Sequence, residues 1–319
     1  MRSKTKPVFS LKNILTGRRI PLIDGIIFRL FGRKKNGWLI GNRLRNKFHG
    51  EKNYVSKLPI LFVGGCPRGG TSLLQNMLKT IEGINGPYIE TCLFQDIKRS
   101  EVVKEAFDID KRDFLELYSK SKGEVVLLSE LILKKYQKEK KIKLTVLKAP
   151  KYILFVEDIF RYFPDSKFIN VIRDGRDTTI SMEKFFLRQL GEKYPFSYNV
   201  KTWVVSINQG KKFRKLKDKY LEVRYEDIIQ DPHKMLSKIA RFLGRKAPTK
   251  KQVSNYYKKL NISKISKFSI SHSVQLSKPV YKKSMGRWKK EMSKEQKAIF
   301  KKYANRELKE LGYVGSNNW

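Results

Sequence analysis

The run LPILFVGGCPRGGTSLLQNMLKTI, from Leu58 to Ile81, constrains the fold more than any other stretch of the sequence. From Lys57 to Val63 it is short, almost wholly apolar and bounded by turn residues, which fits a strand buried on both faces of a parallel sheet. Gly64 to Gly70 is a turn punctuated by glycine and proline, and from Thr71 the apolar residues recur at helical spacing. Strand, glycine-rich loop and helix in that order place the loop at the carboxyl end of a strand, where open α/β sheets bind ligands. The glycines let backbone N–H groups approach a phosphate, and the start of the helix adds a favourable dipole.

The same alternation recurs downstream. Leu144 to Leu147 reads as a strand, and a helix from Tyr152 to Tyr162 follows Pro150. Lys167 to Ile172 is a further strand, Asp174 to Leu190 a helix, and Tyr220 to Arg224 another short strand. Asp231 and Pro232 supply a cap and a first-turn proline for a helix that stops at Gly244. Ser293 and Gln296 form a capping box for a last helix, roughly Lys294 to Leu311. Strands alternating with helices predict an α/β fold with a central parallel sheet flanked by helices. The stretch from about residue 100 to 143 is helical in pattern and is expected to insert between strands as a substrate-side lobe. Residues 1–57, with 15 Lys and Arg against 2 Asp and Glu, are expected to form a basic appendage to a main domain of residues 58–319.

Charge narrows the partners without deciding among them. A formal net charge of +40 favours anionic partners: nucleic acid, a membrane surface, or phosphorylated and sulfated molecules. Most lysines sit singly on what read as polar helix faces, and no zinc-finger, basic-zipper or RNA-recognition signature accompanies them. No specific nucleic-acid partner is therefore expected, although the basic N-terminus could touch an anionic surface. Cys66 and Cys92 are too few for a disulfide framework. Neither they nor the scattered His49, His233 and His272 have metal-ligand spacing, so no metal site is expected, and His233 and His272 read as structural. No run reaches the roughly 20 apolar residues of a membrane span. The best candidate, Ile20 to Phe31, is interrupted by Asp24 and Arg29 and reads as an amphipathic helix. With no signal-peptide pattern either, the expected location is cytoplasmic. Oligomeric state leaves no trace in the sequence.

Within the loop, Gly65-x4-Gly70 imitates the phosphate loop of nucleoside-triphosphate enzymes, but Thr71 stands where those enzymes need a lysine. Two alternatives stay in view. A P-loop nucleotide-dependent phosphoryl transferase would need ATP and Mg²⁺. A basic nucleic-acid-binding protein rests on net charge alone and would show a steep salt dependence.

The segment PRGGTSLL resembles the 5′-phosphosulfate loop, P-[KR]-S-G-T-[ST], of sulfotransferases that use 3′-phosphoadenosine 5′-phosphosulfate (PAPS). The resemblance implies that Arg68, the backbone of Gly69, Gly70, Thr71 and Ser72, and the hydroxyls of Thr71 and Ser72 hold the 5′-phosphosulfate; Gly69 replaces the family's usual serine. FINVIRDGRDTTIS places Arg173 at a strand end with Ser181 eight residues on, the spacing of the family's 3′-phosphate pair. In LEVRYEDIIQDP, Tyr225 takes the place of the tyrosine that lies against the adenine. KPVYKKSMGRWKKEMS resembles the late segment that closes over the nucleotide, with Lys282, Lys283 and Arg287 as candidates for its phosphates.

LKAPK, RYFPDSKF followed by RDGR, and KPV ahead of Trp288 are most similar to the tyrosylprotein sulfotransferase branch. That resemblance implies a P-loop-like sulfotransferase fold and metal-independent, in-line transfer of a sulfuryl group from PAPS to an acceptor hydroxyl. The transfer needs a base, charge stabilisation on the moving group and help for the leaving phosphate. By the same resemblance Glu90 is the general base, Lys148 bridges the leaving oxygen and the sulfuryl group, Arg68 assists, and Ser266 is the late catalytic serine. The acceptor stays open among protein tyrosine, carbohydrate and small molecules.

Overall fold

Ile60, Leu61, Phe62 and Val63 are all fully buried, and the alternation of their side chains explains why an unbroken apolar run was needed. Ile60 and Phe62 pack into a core on one face of the sheet, with Phe168, Tyr152 and Phe163. Leu61 and Val63 pack on the other, with Leu74, Met77, Ile169 and Val171. The structure is a computed structural model that describes residues 54–90, 97–98, 100–190, 194–259, 279, 282–317 and 319, all within one unit. Residues 1–53, Cys92, Ser266, His272 and the side chain of Lys282 lie outside the described residues.

In chain order the elements are β1 (Ile60–Gly65), α1 (Thr71–Leu78), β2 (Ile84–Asn85), α2 (Ser100–Phe107), α3 (Lys111–Lys120), α4 (Val125–Lys140) and β3 (Leu144–Lys148). A 3-10 turn (Pro150–Leu154), α5 (Val156–Tyr162), β4 (Lys167–Ile172), α6 (Gly175–Leu190), α7 (Phe196–Lys211) and β5 (Tyr220–Arg224) follow. After β5 come α8 (Tyr225–Gln230), α9 (Pro232–Phe242), α10 (Lys250–Ser254), α11 (Trp288–Glu291) and α12 (Lys294–Glu310). The sheet order is β2-β3-β1-β4-β5 and every pairing is parallel. All five strands therefore end on one edge of the sheet. No helix among the described residues is long and apolar enough to cross a membrane.

Local chemistry accounts for most boundaries. Asp231 caps α9 by accepting from the Lys234 amide, and Ser293 and Gln296 make both bonds of the expected capping box. Two expectations need correction. β1 runs into Gly65, because Gly64 and Gly65 pair with Asn170 and Val171 of β4; a side chain on Gly65 would stand 2.4 Å from the Val171 carbonyl oxygen. The expected helix from Tyr152 to Tyr162 is broken at Phe155, whose backbone (φ −119°, ψ 16°) leaves the helical region and closes a 3-10 turn before α5.

Candidate active site

Each strand delivers one of the expected site residues to the same edge. Arg68 lies in the loop after β1, Glu90 in the run after β2, Lys148 is the last residue of β3, Arg173 follows β4, and Tyr225 follows β5. This edge is where α/β sheets bind ligands.

The loop after β1 is shaped by its backbone. Gly69 N–H closes a turn on the Cys66 carbonyl at 2.9 Å, and Arg68 holds a left-handed φ of 66° that non-glycine residues rarely adopt. Gly70 (φ 101°) has the Tyr225 ring directly over it: a Cβ there would meet the ring at 2.3 Å. Gly70 caps α1 without a side-chain bond, and the first turn of α1 holds no acidic residue. The first amides of α1 are thus left to an anionic ligand. Burial, followed by the nearby charge of Arg173, pushes the Arg68 guanidinium down to about 10, so it stays cationic at neutral pH.

Arg68 also joins the two halves of the expected 3′ pair. Its Nε donates to Ser181 Oγ at 3.2 Å, its guanidinium lies 5.2 Å from the centre of the Phe185 ring, and its carbonyl accepts from Arg173 Nη1 at 3.1 Å. Ser181 therefore meets Arg68, and Arg173 meets the backbone of the same residue. Arg173 is buried, stacks 4.4 Å from the centre of the Tyr225 ring, and has an Nε with no hydrogen-bond partner. An orphaned buried guanidinium nitrogen is costly unless a ligand completes it.

The late segment is fastened over this region. Arg173 Nη2 donates to the Ser284 carbonyl, and the Tyr225 and Ser284 hydroxyls are 2.7 Å apart. Asp177, one turn before Ser181 on α6, accepts from the amides of Gly286 (2.7 Å) and Trp288 (2.9 Å). Burial raises the Asp177 carboxyl above its ordinary range, with those two amides opposing. Arg287 is held by Glu291 through two bonds of 2.9 Å, and Lys283 is exposed.

On the acceptor side, Lys148 Nζ donates to Glu90 Oε1 at 2.6 Å; the lysine side chain is 4% exposed and the glutamate 34%. Glu90 Oε2 carries no hydrogen bond among the described residues and remains available. The motif RDGRD splits three ways: Arg173 goes to the loop, Asp174 and Arg176 form a salt bridge of 2.7 Å, and Asp177 takes the late segment. The clamp by Asp177, the Ser284 contacts and the Phe185 ring were not foreseen from sequence; the only signal was the second aspartate of RDGRD.

This geometry defines a P-loop-like α/β protein whose open edge gathers Arg68, Lys148, Arg173 and Tyr225 beside the loop after β1. The chain belongs to the sulfotransferase family, whose sequence profile matches residues 59–249, well over half of its length. It is similar to protein-tyrosine sulfotransferase 2 of Gallus gallus, 26% identical over 207 residues that cover 61% of this chain and 54% of that one. The chain thus spans about half the length of that relative. Among solved structures, the sulfotransferase domain of the Synechococcus PCC 7002 olefin synthase aligns with a TM-score of 0.56 at 19% identity, covering 80% of this chain and 98% of that one. Mouse sulfotransferase SULT7A1, solved with PAP (the desulfonated nucleotide), aligns with a TM-score of 0.52 at 14% identity, covering 82% and 89%. At those identities the structural likeness speaks for the fold.

Proposed function

We propose that the protein transfers a sulfuryl group from PAPS to an acceptor hydroxyl, and that the residues at the carboxyl edge of the sheet carry the reaction. The observation that carries this reading is the pairing of two features: a phosphate loop lacking the ATP-type lysine, and a buried Lys148 bonded to a partly exposed Glu90 one strand away. The nucleotide fits the residues present. The unpartnered Nε of Arg173 and the start of α1, where Thr71 and Ser72 bring hydroxyls and the first turn holds no acidic residue, suit an anion.

When bound, PAPS supplies the sulfuryl group and a 5′-phosphate as leaving group. Arg68 and the amides from Gly69 to Ser72 hold the 5′ end. Arg173, with Ser181 reached through Arg68, sits where the 3′-phosphate is expected, and Tyr225 offers a ring face beside Gly70. Glu90 Oε2 takes the proton of the acceptor hydroxyl as its oxygen bonds to sulfur. Lys148, at the end of β3, neutralises the oxygen that departs with the electron pair. Lys283 and Arg287 line the approach of the late segment, with Arg287 first having to give up Glu291. The protein-tyrosine sulfotransferase named above favours a phenolic hydroxyl as the first acceptor to try.

Glu90→Gln tests the chemistry. The amide still accepts from Lys148, so PAP affinity should stay within about twofold, while transfer of labelled sulfate from PAPS to a responsive acceptor falls about 100-fold or more. Normal turnover in Glu90→Gln would remove Glu90 from the role of base.

A further inference from the structure

α1 reaches the run that carries Glu90 at two points, four residues apart on one helix face. Gln75 Nε2, buried, donates to the Pro87 carbonyl at 2.9 Å. Lys79, the residue closing α1, lays its amine 3.6 Å from the centre of the Tyr88 ring. The Lys79 nitrogen is buried and has no hydrogen-bond partner. Among the described residues no carboxylate pairs with it; burial, then the nearby Lys148 charge, pushes the amine down to about 7.

Burying an amine without a partner is unfavourable, and an unbranched apolar side chain would fill the same space at lower cost. What an apolar chain would lack is orientation: an amine over an aromatic face, cationic below about pH 7, fixes where that ring lies. The ring in question is two residues before Glu90. The backbone of this run is already pressed against the sheet, since a Cβ on Gly86 would stand 1.9 Å from the Val146 carbonyl oxygen. Gly86 and Pro87 anchor the start of the run and Ile89 is buried in the core next to Glu90, so the Tyr88 ring between them is a further point that bears on where Glu90 points.

We propose that Lys79 is a positioning residue: by packing its amine on the Tyr88 ring it holds the run from Gly86 to Glu90 so that Glu90 meets Lys148. Its bearing on catalysis rests on the reading of Glu90 and Lys148 given above. Lys79 touches no reacting atom; it acts through Tyr88.

The test reads the Lys148–Glu90 pair directly, without an acceptor. In protein labelled with ¹⁵N-lysine, the buried, bonded ammonium of Lys148 should exchange its protons slowly enough to give a side-chain signal, assigned by its loss in Lys148→Arg. Lys79→Met should speed that exchange at least tenfold, and Tyr88→Leu should do the same. The double variant should be no faster than either single one, because both cut one link. The melting temperature of Lys79→Met should not fall, and its PAP affinity should stay within about twofold. A signal equally protected in wild type and Lys79→Met would overturn the positioning role alone. Additive effects, or a fall in melting temperature with exchange rising across the sheet, would make Lys79 a packing residue and overturn it too. A wild-type signal without protection would remove the pair itself, and with it both readings.

Discussion

On the proposed function, Arg173 is the residue on which nucleotide selectivity should turn. Its two Nη atoms are engaged by backbone carbonyls, its face by Tyr225, and only Nε lacks a partner. A charge-assisted contact to phosphate is worth about 1.5–3 kcal/mol, so Arg173→Ala should weaken PAP by roughly tenfold or more. Titration of the analogue lacking the 3′-phosphate should show a clearly smaller loss; equal losses would mean that Arg173 does not read the 3′ group. Lys79 predicts a pH effect. Its folded value of about 7 lies below the roughly 10.4 of an unfolded lysine. Between those values the unfolded chain binds a proton the folded chain has released, so stability rises with pH; below about 7 both are protonated and the burial cost is felt in full. Urea unfolding should therefore show wild type gaining on Lys79→Met between pH 6.5 and pH 9, and a constant difference would contradict it. The sequence made Arg68, Lys148 and Arg173 legible because each stands where an apolar strand gives way to a loop. Lys79 was not legible: it is one of 70 Lys and Arg, and nothing in a linear pattern says that its nitrogen is covered.

Helix α6 is the element that couples loop and late segment, since Asp177 and Ser181 lie one turn apart on it. Asp177→Asn keeps the shape but leaves one acceptor for two amides and turns an N–H₂ towards the other. A lost buried bond of this kind costs on the order of 1–3 kcal/mol. PAP should then dissociate about tenfold faster, as followed by stopped-flow, while the Lys148–Glu90 pair is undisturbed; an unchanged off-rate would show the late segment to be held by other contacts. Strands β4 and β5 and the caps of α9 and α12 were readable because apolar runs, Asp-Pro and Ser-x-x-Gln state their own geometry. The break at Phe155 was not, because an apolar helix pattern continues across it and only the backbone reveals the 3-10 turn. α7 also escaped notice. Its buried face mixes Asn199, Thr202, Ser206 and Gln209 with Trp203, which blurs the apolar stripe that periodicity relies on.

On the scale of the molecule, five parallel strands ending on one edge explain how residues as distant as Arg68 and Tyr225 come to share a site. The net charge of +40 favours anionic ligands in general, but it does not distinguish one nucleotide from another. Discrimination has to come from short-range features: Thr71 in place of the lysine that an ATP-binding loop needs, and Arg173 with its unpartnered Nε. On the proposed function the first disfavours ATP with Mg²⁺ and the second serves a 3′-phosphate. Titration calorimetry of the full chain with PAP in EDTA, beside ATP with Mg²⁺, measures this directly. PAP in EDTA should bind at least tenfold tighter than ATP with Mg²⁺. Binding of ATP as tight as PAP or tighter, and only with Mg²⁺ present, would contradict it.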